Sequence, residues 1–180
     1  LISATPIPRT LVMTLYGDMD VSRIIQKPLH DKKIATLSKP EEKINEILLF
    51  IQKQIQNKNQ IFWVCPLIDE SKKLDFSAAI EKYKYLSTKF DDKVGLIHGN
   101  LDKDDKSDVL NNFLNKSIDI LVSTTVIEVG IDFPNANVIV IENSNKFGLS
   151  QLHQLRGRVG RGINQGTCIL LYKKNLSENA

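Results

Sequence analysis

The sequence has few cysteines, no long apolar run and no secretion signal, and each absence narrows what the chain can be. Only two cysteines occur among its 180 residues, Cys65 and Cys168, each alone in an apolar run. Disulfide frameworks and cysteine-based metal sites need clusters or regular spacings, so neither is predicted. We expect both thiols to be buried on strands, which suits a reducing cytosol. No apolar run reaches the length of a membrane span, so no membrane association is predicted.

Glycine motifs for nucleotide binding are also missing. The chain has no Gly-x-x-x-x-Gly-Lys-Ser/Thr loop, whose backbone amides would cradle phosphates. No Gly-x-Gly-x-x-Gly follows the first predicted strand, and this argues against a dinucleotide-dependent oxidoreductase. The three histidines have no partnered acid or cysteine spacing, so no metal site or catalytic triad is predicted. A net charge of +3 permits an acidic partner such as nucleic acid but does not require one.

What the sequence does contain is a regular alternation of short apolar runs and helical stripes. A helix is predicted from the apolar spacing of 44–55, with Ser38 and Glu41 at capping-box spacing before it. Another helix is predicted at 148–159, ending in glycines. This alternation predicts the α/β fold class, a parallel sheet with helices on both faces. The predicted strands are 34–38, 60–68, 94–98, 118–124, 137–143 and 166–174.

Polar and glycine residues gather directly after the predicted strands. In parallel α/β sheets, ligands bind beyond the carboxyl ends of the strands. Four segments follow such ends, namely 66–70, 98–101, 123–132 and 142–147. The sequence therefore predicts a site along one edge of the sheet.

The stretch QLRGRVGR (154–161) places three arginines within six residues. Arg158 and Arg161 are separated by three positions with Gly157 and Gly160 beside them, so both can project from one end of a helix. A planar guanidinium offers two parallel donors to one oxyanion, which suits phosphate. The alternatives are a solvated basic helix end and a phosphate-binding patch for nucleic acid.

The apolar run 118–124 ends in small polar residues, and more of them follow it. The hydroxyl groups of Thr124 and Thr125 could donate to a phosphate or a sugar. Gly130 would allow close backbone approach, and the carboxylate of Asp132 could bind a ribose hydroxyl or an arginine. The alternative is ordinary turn chemistry, because these residue types are also common in turns.

Four stretches in this order resemble the second half of a superfamily 2 helicase: SATPIPRT, HGNL, TTVIEVGIDFP and QLHQLRGRVGR. Within that superfamily, the sequence is most similar to RecG-type branch-migration helicases. Three stretches carry this similarity: ATPIPRTLVMTLYGDMDVS, FWVCPLIDES and IENSNKFGLSQLHQLRGRVGRG. Transcription-repair coupling translocases share ATPIPRT and QLRGRVGR but differ after the first of these. Superfamily 2 helicases have two RecA-like lobes with ATP in the cleft between them.

The resemblance implies a division of the chain and a location for the missing phosphate loop. Residues 1–32 would be the end of the first RecA-like lobe and the interlobe linker, with Ser3 and Thr5 coupling the lobes. Residues 33–180 would be the C-terminal RecA-like lobe. The phosphate-binding loop and the Mg²⁺ ligand would then lie upstream of Leu1 in a longer protein. We therefore expect no ATP turnover by this chain alone.

The resemblance also assigns roles to the nucleotide-facing residues. Arg158 and Arg161 would reach the γ-phosphate of ATP as arginine fingers. Gln154 would sense that phosphate or orient the attacking water. Gly130 and Asp132 would face the nucleotide or its arginine partners.

On the opposite rim, the resemblance implies that Thr124, Thr125 and the His98–Gly99 pair hold DNA phosphates without reading bases. The intact protein would then be an ATP- and Mg²⁺-dependent DNA helicase of the bacterial cytoplasm and nucleoid, remodelling replication forks and Holliday junctions. Two other functions stay open: a transcription-repair coupling translocase, and a RecA-like nucleic-acid-binding module without ATPase activity.

Overall fold

The structure is a computed structural model that describes residues 34–66, 72–124, 133–162 and 164–173, without the side chains of 72–76. All of these residues belong to the second of two units into which the chain divides, Lys33–Ala180. The predictions for Ser3, Thr5, Thr125, Gly130 and Asp132 therefore lie outside the described residues.

Strands and helices alternate through the described residues, as the apolar pattern predicts. The strands are β1 (Ala35–Pro40), β2 (Gln60–Cys65), β3 (Val94–Ile97), β4 (Ile120–Thr124), β5 (Ala136–Ile141) and β6 (Thr167–Tyr172). The α-helices are α1 (Ile44–Gln56), α2 (Lys72–Phe90), α3 (Lys103–Leu114) and α4 (Leu149–Arg156). Short 3-10 turns occupy Glu41–Lys43, Asp91–Lys93 and Ser144–Lys146. None of the helices in the described part is both long enough and apolar enough to cross a bilayer.

The six strands form one sheet in the order β1-β6-β5-β2-β4-β3, and every pair is parallel. Strand β2 lies in the middle, and all six of its residues are buried. A strand that is covered on both faces has apolar residues at successive positions, which explains why apolar and polar residues do not alternate in QIFWVC. The predicted fold class is confirmed.

Side chains from the two faces of the sheet form two separate cores. Phe62 and Val64 point into a core that includes Phe113 of α3 and Leu155 of α4. The intervening residues of β2 point to the other core, which takes the apolar faces of α1 and α2. The members of that second core contributed by these elements are Ile61, Trp63, Cys65, Ile47, Leu48, Ile51, Ala79 and Leu86. Both cysteines are buried and free, as predicted.

Two local predictions are wrong. The capping box of Ser38 and Glu41 does not form, because β1 stays paired with β6 through Pro40 and no side chain caps the turn that follows. Pro40 adopts extended angles (φ −69°, ψ 149°), and proline is tolerated on this outer strand because an edge residue can do without a ladder donor. The helix predicted at 148–159 ends at Arg156 with Gly157 as its C-cap, and the chain then turns away through Gly160, whose φ of 73° no right-handed helix can contain.

Candidate functional site

Helix α4 and the loop that follows it carry the predicted arginines. The helix begins where the Gly148 N–H donates to Oε1 of Gln151 at 2.9 Å. Its end is closed by the Gly157 N–H, which donates to the His153 carbonyl at 3.1 Å. The Arg158 N–H then donates to the Leu155 carbonyl at 3.0 Å, so Arg158 leaves directly from the helix end.

The loop between α4 and β6, which we call the arginine loop, lies along the amino ends of the strands. The Gly160 N–H donates to the carbonyl of Ala136, the first residue of β5, at 3.3 Å. Further along, the Gly166 carbonyl accepts from the N–H of Ala35, the first residue of β1, at 2.9 Å. The loop is therefore tied to two strand starts, and the arginines lie at the amino edge of the sheet.

Glycines allow this loop to approach other backbone closely. Gly160 has φ +73°, and a Cβ built there would lie 3.0 Å from Cα of Gly166. A Cβ on Gly162 would lie 2.0 Å from the carbonyl oxygen of Pro134. The contact at Gly162 is closer than a Cβ permits, and the positive φ of Gly160 is strained for any other residue, so the path of the loop around Arg161 depends on glycine at these positions.

The two arginines lie close enough to affect each other. Burial, together with the positive charge of Arg161, lowers the pKa of Arg158. The Nε–H of the exposed Arg161 donates to the Gly157 carbonyl at 3.2 Å, which holds its side chain against the helix end. Two guanidinium groups held together repel, and an oxyanion bound beside them relieves that repulsion. Gln154 is exposed on the last turn of the same helix.

Thr124 and the His98–Gly99 pair lie at the carboxyl edge of the sheet. Strands β3 and β4 are neighbours, with Ile97 opposite Ser123, so the next residue of each strand reaches the same place. Burial and the nearby Lys106 cation lower the pKa of His98, which keeps the imidazole neutral at pH 7. A Cβ on Gly99 would meet nothing within 4 Å, so its backbone is accessible.

The predicted site residues thus fall on opposite edges of the sheet. The structure places His98 and Thr124 at the carboxyl edge, where the strand ends predict a site, and it places the arginines, which that prediction does not include, at the amino edge. The reason is the direction of α4, which runs back from the carboxyl edge and delivers Arg158 and Arg161 to the amino edge. The roles that the resemblance implies for these residues stay predictions.

A polar cluster at the carboxyl ends of β2 and β5 contains Glu142, the first residue of the predicted segment 142–147, together with Lys82 and Cys65, which the sequence did not indicate as site residues. Nζ of Lys82 lies 2.5 Å from Oε1 of Glu142, and the thiol of Cys65 donates to Oε2 of Glu142 at 3.6 Å. Burial, with the adjacent Glu142 carboxylate, raises the pKa of the Cys65 thiol, which stays protonated. Lys82 also lies 5.3 Å from the ring centroid of Trp63. Cys65 and Glu142 are 77 residues apart, and no spacing in the sequence connects them.

A protein-family comparison matches most of the chain. The family described as helicase conserved C-terminal domain matches residues 40–162. This range contains the described arginine loop up to Gly162 and both strand ends at the carboxyl edge.

Curated relatives named ATP-dependent DNA helicase RecG are similar over nearly the whole chain. The protein from Thermotoga maritima is 49% identical over 171 residues, covering 94% of this chain and 22% of the relative. The one from Bacillus subtilis is 50% identical over 171 residues, covering 94% and 25% respectively. The one from Haemophilus influenzae is 46% identical over 180 residues, covering 99% and 26%. The chain thus spans about a quarter of the length of these relatives.

Solved structures show the same fold. The structure of RecG bound to a three-way DNA junction matches with a TM-score of 0.79 and 45% identity, covering 98% of this chain and 23% of that one. S. cerevisiae Dbp5 bound to RNA and ADP BeF3 matches with a TM-score of 0.67 at 17% identity, over 96% of this chain and 44% of that one. At that identity, the second match shows the fold alone.

Proposed function

The chain belongs to the family of helicase conserved C-terminal domains, and on that basis we propose that it is the C-terminal RecA-like motor lobe of an ATP-dependent, RecG-type DNA helicase. The 46–50% identity to RecG proteins over 94–99% of the chain supports this choice. It also disfavours the transcription-repair coupling translocase and the module without ATPase activity. We place the intact protein in the bacterial cytoplasm, at the nucleoid.

The arginine pair at the amino edge is the observation on which the catalytic part of this proposal rests. Arg158 and Arg161 lie three residues apart on a loop whose backbone is tied to β1 and β5, and burial together with the positive charge of Arg161 lowers the pKa of Arg158. A pair of neighbouring cations fits the oxygens of a γ-phosphate. In phosphoryl transfer, negative charge spreads over the equatorial oxygens, and an arginine positioned there contributes about 10³–10⁵ in rate. We assign the remaining phosphate contacts and Mg²⁺ to the first RecA-like lobe of the intact protein, as the resemblance implies.

The proposal also gives roles to the other residues that the resemblance places near the nucleotide or between the lobes. Gln154 lies one helical turn before Arg158 on α4, where it can orient water or sense the γ-phosphate. Gly130 and Asp132 face the nucleotide or its arginine partners in this proposal. Ser3 and Thr5 couple the first lobe to the second.

The carboxyl edge holds DNA in this proposal. The hydroxyl groups of Thr124 and Thr125, together with His98 and the accessible backbone at Gly99, contact phosphates rather than bases. A motor must move over any sequence, and phosphate contacts carry no sequence information. The relative whose structure contains a three-way DNA junction supports branched DNA as the substrate. Within that class, we propose forks and Holliday junctions.

The experiment that tests the catalytic proposal compares Arg161→Ala with Arg156→Ala in the intact protein. Arg156 is the matched control, because its guanidinium lies 3.4 Å from Nδ1 of His153 and its charge acts on the pKa of the buried Cys168 rather than on the arginine pair. We expect fork-stimulated ATP hydrolysis to fall about 10³-fold or more for Arg161→Ala, with ATP affinity retained. Arg156→Ala should change the rate by only a few-fold.

A different result would assign the arginine loop to DNA binding instead of ATP hydrolysis. Near-normal turnover by Arg161→Ala, combined with weaker and less salt-dependent fork binding, would mean that the arginines hold DNA. Fork affinity measured at several salt concentrations reports this outcome, because each lost phosphate contact lowers the salt slope by about 0.9.

A further inference from the structure

Beside the arginine loop, the amino edge of the sheet carries a cluster of amide side chains. We call Gln54, Asn59, Asn137 and Asn164 the amide cluster. Oδ1 of Asn59 accepts from Nδ2 of Asn137 at 2.8 Å and from Nδ2 of Asn164 at 2.8 Å. Nδ2 of Asn59 donates to Oε1 of Gln54 at 2.7 Å. Asn59 therefore joins the end of α1, the start of β5 and the arginine loop through one buried side chain.

The position of Asn59 is set by its backbone. The Asn59 N–H donates to the Gln54 carbonyl at 3.0 Å, and the preceding Lys58 adopts φ 60°, which turns the chain sharply out of α1. The next residue, Gln60, donates its N–H to the Asn135 carbonyl at 2.8 Å. Asn59 is 8% exposed and Asn137 is 2% exposed. The two acceptor lone pairs of Asn59 thus occupy a fixed place at the amino edge.

Asn164 connects this fixed point to the arginine loop. The loop is anchored by backbone hydrogen bonds at Gly160 and Gly166, and Arg161 lies directly after the first of these anchors. Asn164 adds a side-chain anchor three residues beyond Arg161. An anchor at this point shortens the stretch of loop that is free to move and limits the directions in which Arg161 leaves it.

We propose that Asn59 is a positioning residue that directs Arg161 by holding Asn164. The inference rests on the proposed function, in which Arg161 contacts the γ-phosphate. Asn59 touches neither nucleotide nor DNA in this arrangement and acts only through the loop. Loss of its carbonyl acceptor releases Asn164, widens the range of Arg161 orientations and lowers the fraction of molecules with a correctly placed guanidinium.

The test uses the intact protein, forked DNA and six variants in addition to wild type: four single asparagine variants, Arg161→Ala, and the double variant that combines Asn59→Ala with Arg161→Ala. Asn59→Ala removes both acceptor contacts and the donation to Gln54, whereas Asn59→Asp loses the donation to Gln54 but keeps an oxygen for Asn137 and Asn164. Asn164→Ala cuts the same link from the exposed side of the loop, where truncation does not disturb the core. Asn57→Ala is the matched control, an exposed asparagine in the same turn.

We expect Asn59→Ala and Asn164→Ala each to lower kcat about 10- to 100-fold with KM for ATP nearly unchanged, because a small misplacement of a catalytic group costs rate rather than binding. Asn59→Asp should recover most of that loss, and Asn57→Ala should match wild type. Adding Asn59→Ala to Arg161→Ala should cause no further loss, because the two residues act in one unit.

Three results overturn the inference. Additive losses in the double variant would mean that Asn59 acts independently of Arg161. A lower melting temperature for Asn59→Ala with kcat equal to that of Asn57→Ala would make the amide cluster merely structural. If Asn59→Ala does not fold, a wild-type kcat for Asn164→Ala leads to the same conclusion. Normal turnover by Arg161→Ala is a different failure, because it removes the proposed finger role and the inference with it.

Discussion

His98 shows how the surroundings of one side chain set its chemistry. The pKa of His98 is lowered from 6.5 by burial and by Lys106, so the folded protein binds a proton less readily than the unfolded chain. The neutral imidazole therefore stabilises the fold fully above about pH 6.5, and this contribution is lost as pH falls through the folded pKa. At pH 7 a neutral ring can donate one N–H to a DNA phosphate oxygen but adds no charge to the contact.

This predicts a pH-dependent salt effect on fork binding. At pH 7.5 we expect His98→Gln to leave the slope of log affinity against log salt unchanged, because a neutral ring releases no counterion. As pH falls through the lowered pKa, the wild-type slope should steepen by up to about 0.9, while that of His98→Gln should not. Fluorescence anisotropy with labelled forks at several salt concentrations measures both slopes.

Lys106 supplies the control for this measurement. Lys106→Gln removes the cation that helps to lower the pKa of His98, so the steepening should begin at higher pH. Identical pH profiles for wild type and His98→Gln would show that His98 does not contact DNA phosphates.

The arginine loop between α4 and β6 is the element on which the catalytic proposal depends. Its path depends on backbone-to-backbone contacts as well as on the burial of Val159, since Gly160, Gly162 and Gly166 all lie within reach of other main-chain atoms. Pro134, which Gly162 contacts, directly follows Phe133 in the aromatic cluster of Phe62 and Phe113. The arginine loop is thus supported by a residue that the core holds in place.

Gly162→Ala is predicted to disturb this element. The new Cβ would lie 2.0 Å from the Pro134 carbonyl oxygen, so the loop must shift away from the sheet. We expect a loss of about 1–3 kcal/mol in the free energy of unfolding, as for other overpacked sites. Because the shift also moves Arg161, kcat for ATP should fall with it.

Thermal unfolding and fork-stimulated ATP hydrolysis measure these two effects. Gly148→Ala is the matched control, because a Cβ there meets only Oε1 of Gln151 at 3.7 Å, an ordinary contact. Wild-type stability and turnover for Gly162→Ala would mean that the loop yields easily and that its close packing does not orient the arginines.

The sheet carries the two proposed sites at its opposite edges. Strand β2 pairs with both β4, which ends at Thr124, and β5, whose first residue is bonded to the arginine loop. All six residues of β2 are buried between two cores, and close-packed protein interiors have low compressibility. Under the proposed function, engagement of ATP at the amino edge would therefore displace the DNA grip at the carboxyl edge as a rigid body.

The division of the nucleotide site predicts that this 180-residue chain alone does not hydrolyse ATP. Its sequence contains no phosphate-binding glycine loop, and the arginine pair supplies only part of a phosphate site. Phosphate release with forked DNA should stay at background for the chain and rise for the intact protein. Turnover by the chain at a rate similar to that of the intact protein would show that the phosphate site lies within these residues.

The sequence alone was sufficient for the fold class and for most elements. Buried strands such as Gln60–Cys65 are continuous apolar runs, and α1 shows its buried face through the spacing of Ile47, Leu48 and Ile51. These patterns are local, so they can be read without knowing what packs against them. The sequence also singles out Arg158 and Arg161 as candidates, because two arginines and two glycines lie together in one short stretch, and their role stays a prediction.

The tertiary structure decided what depends on distant partners. Pairing of Pro40 with Tyr172 extended β1 through the place where a helix cap was predicted. The return of α4 to the amino edge separated the arginines from His98 and Thr124. Asn59 and Asn164 meet although they are 105 residues apart in the chain. Local periodicity reports which face of a segment is buried, but only the packed sheet determines which edge a loop reaches and which polar side chains meet there.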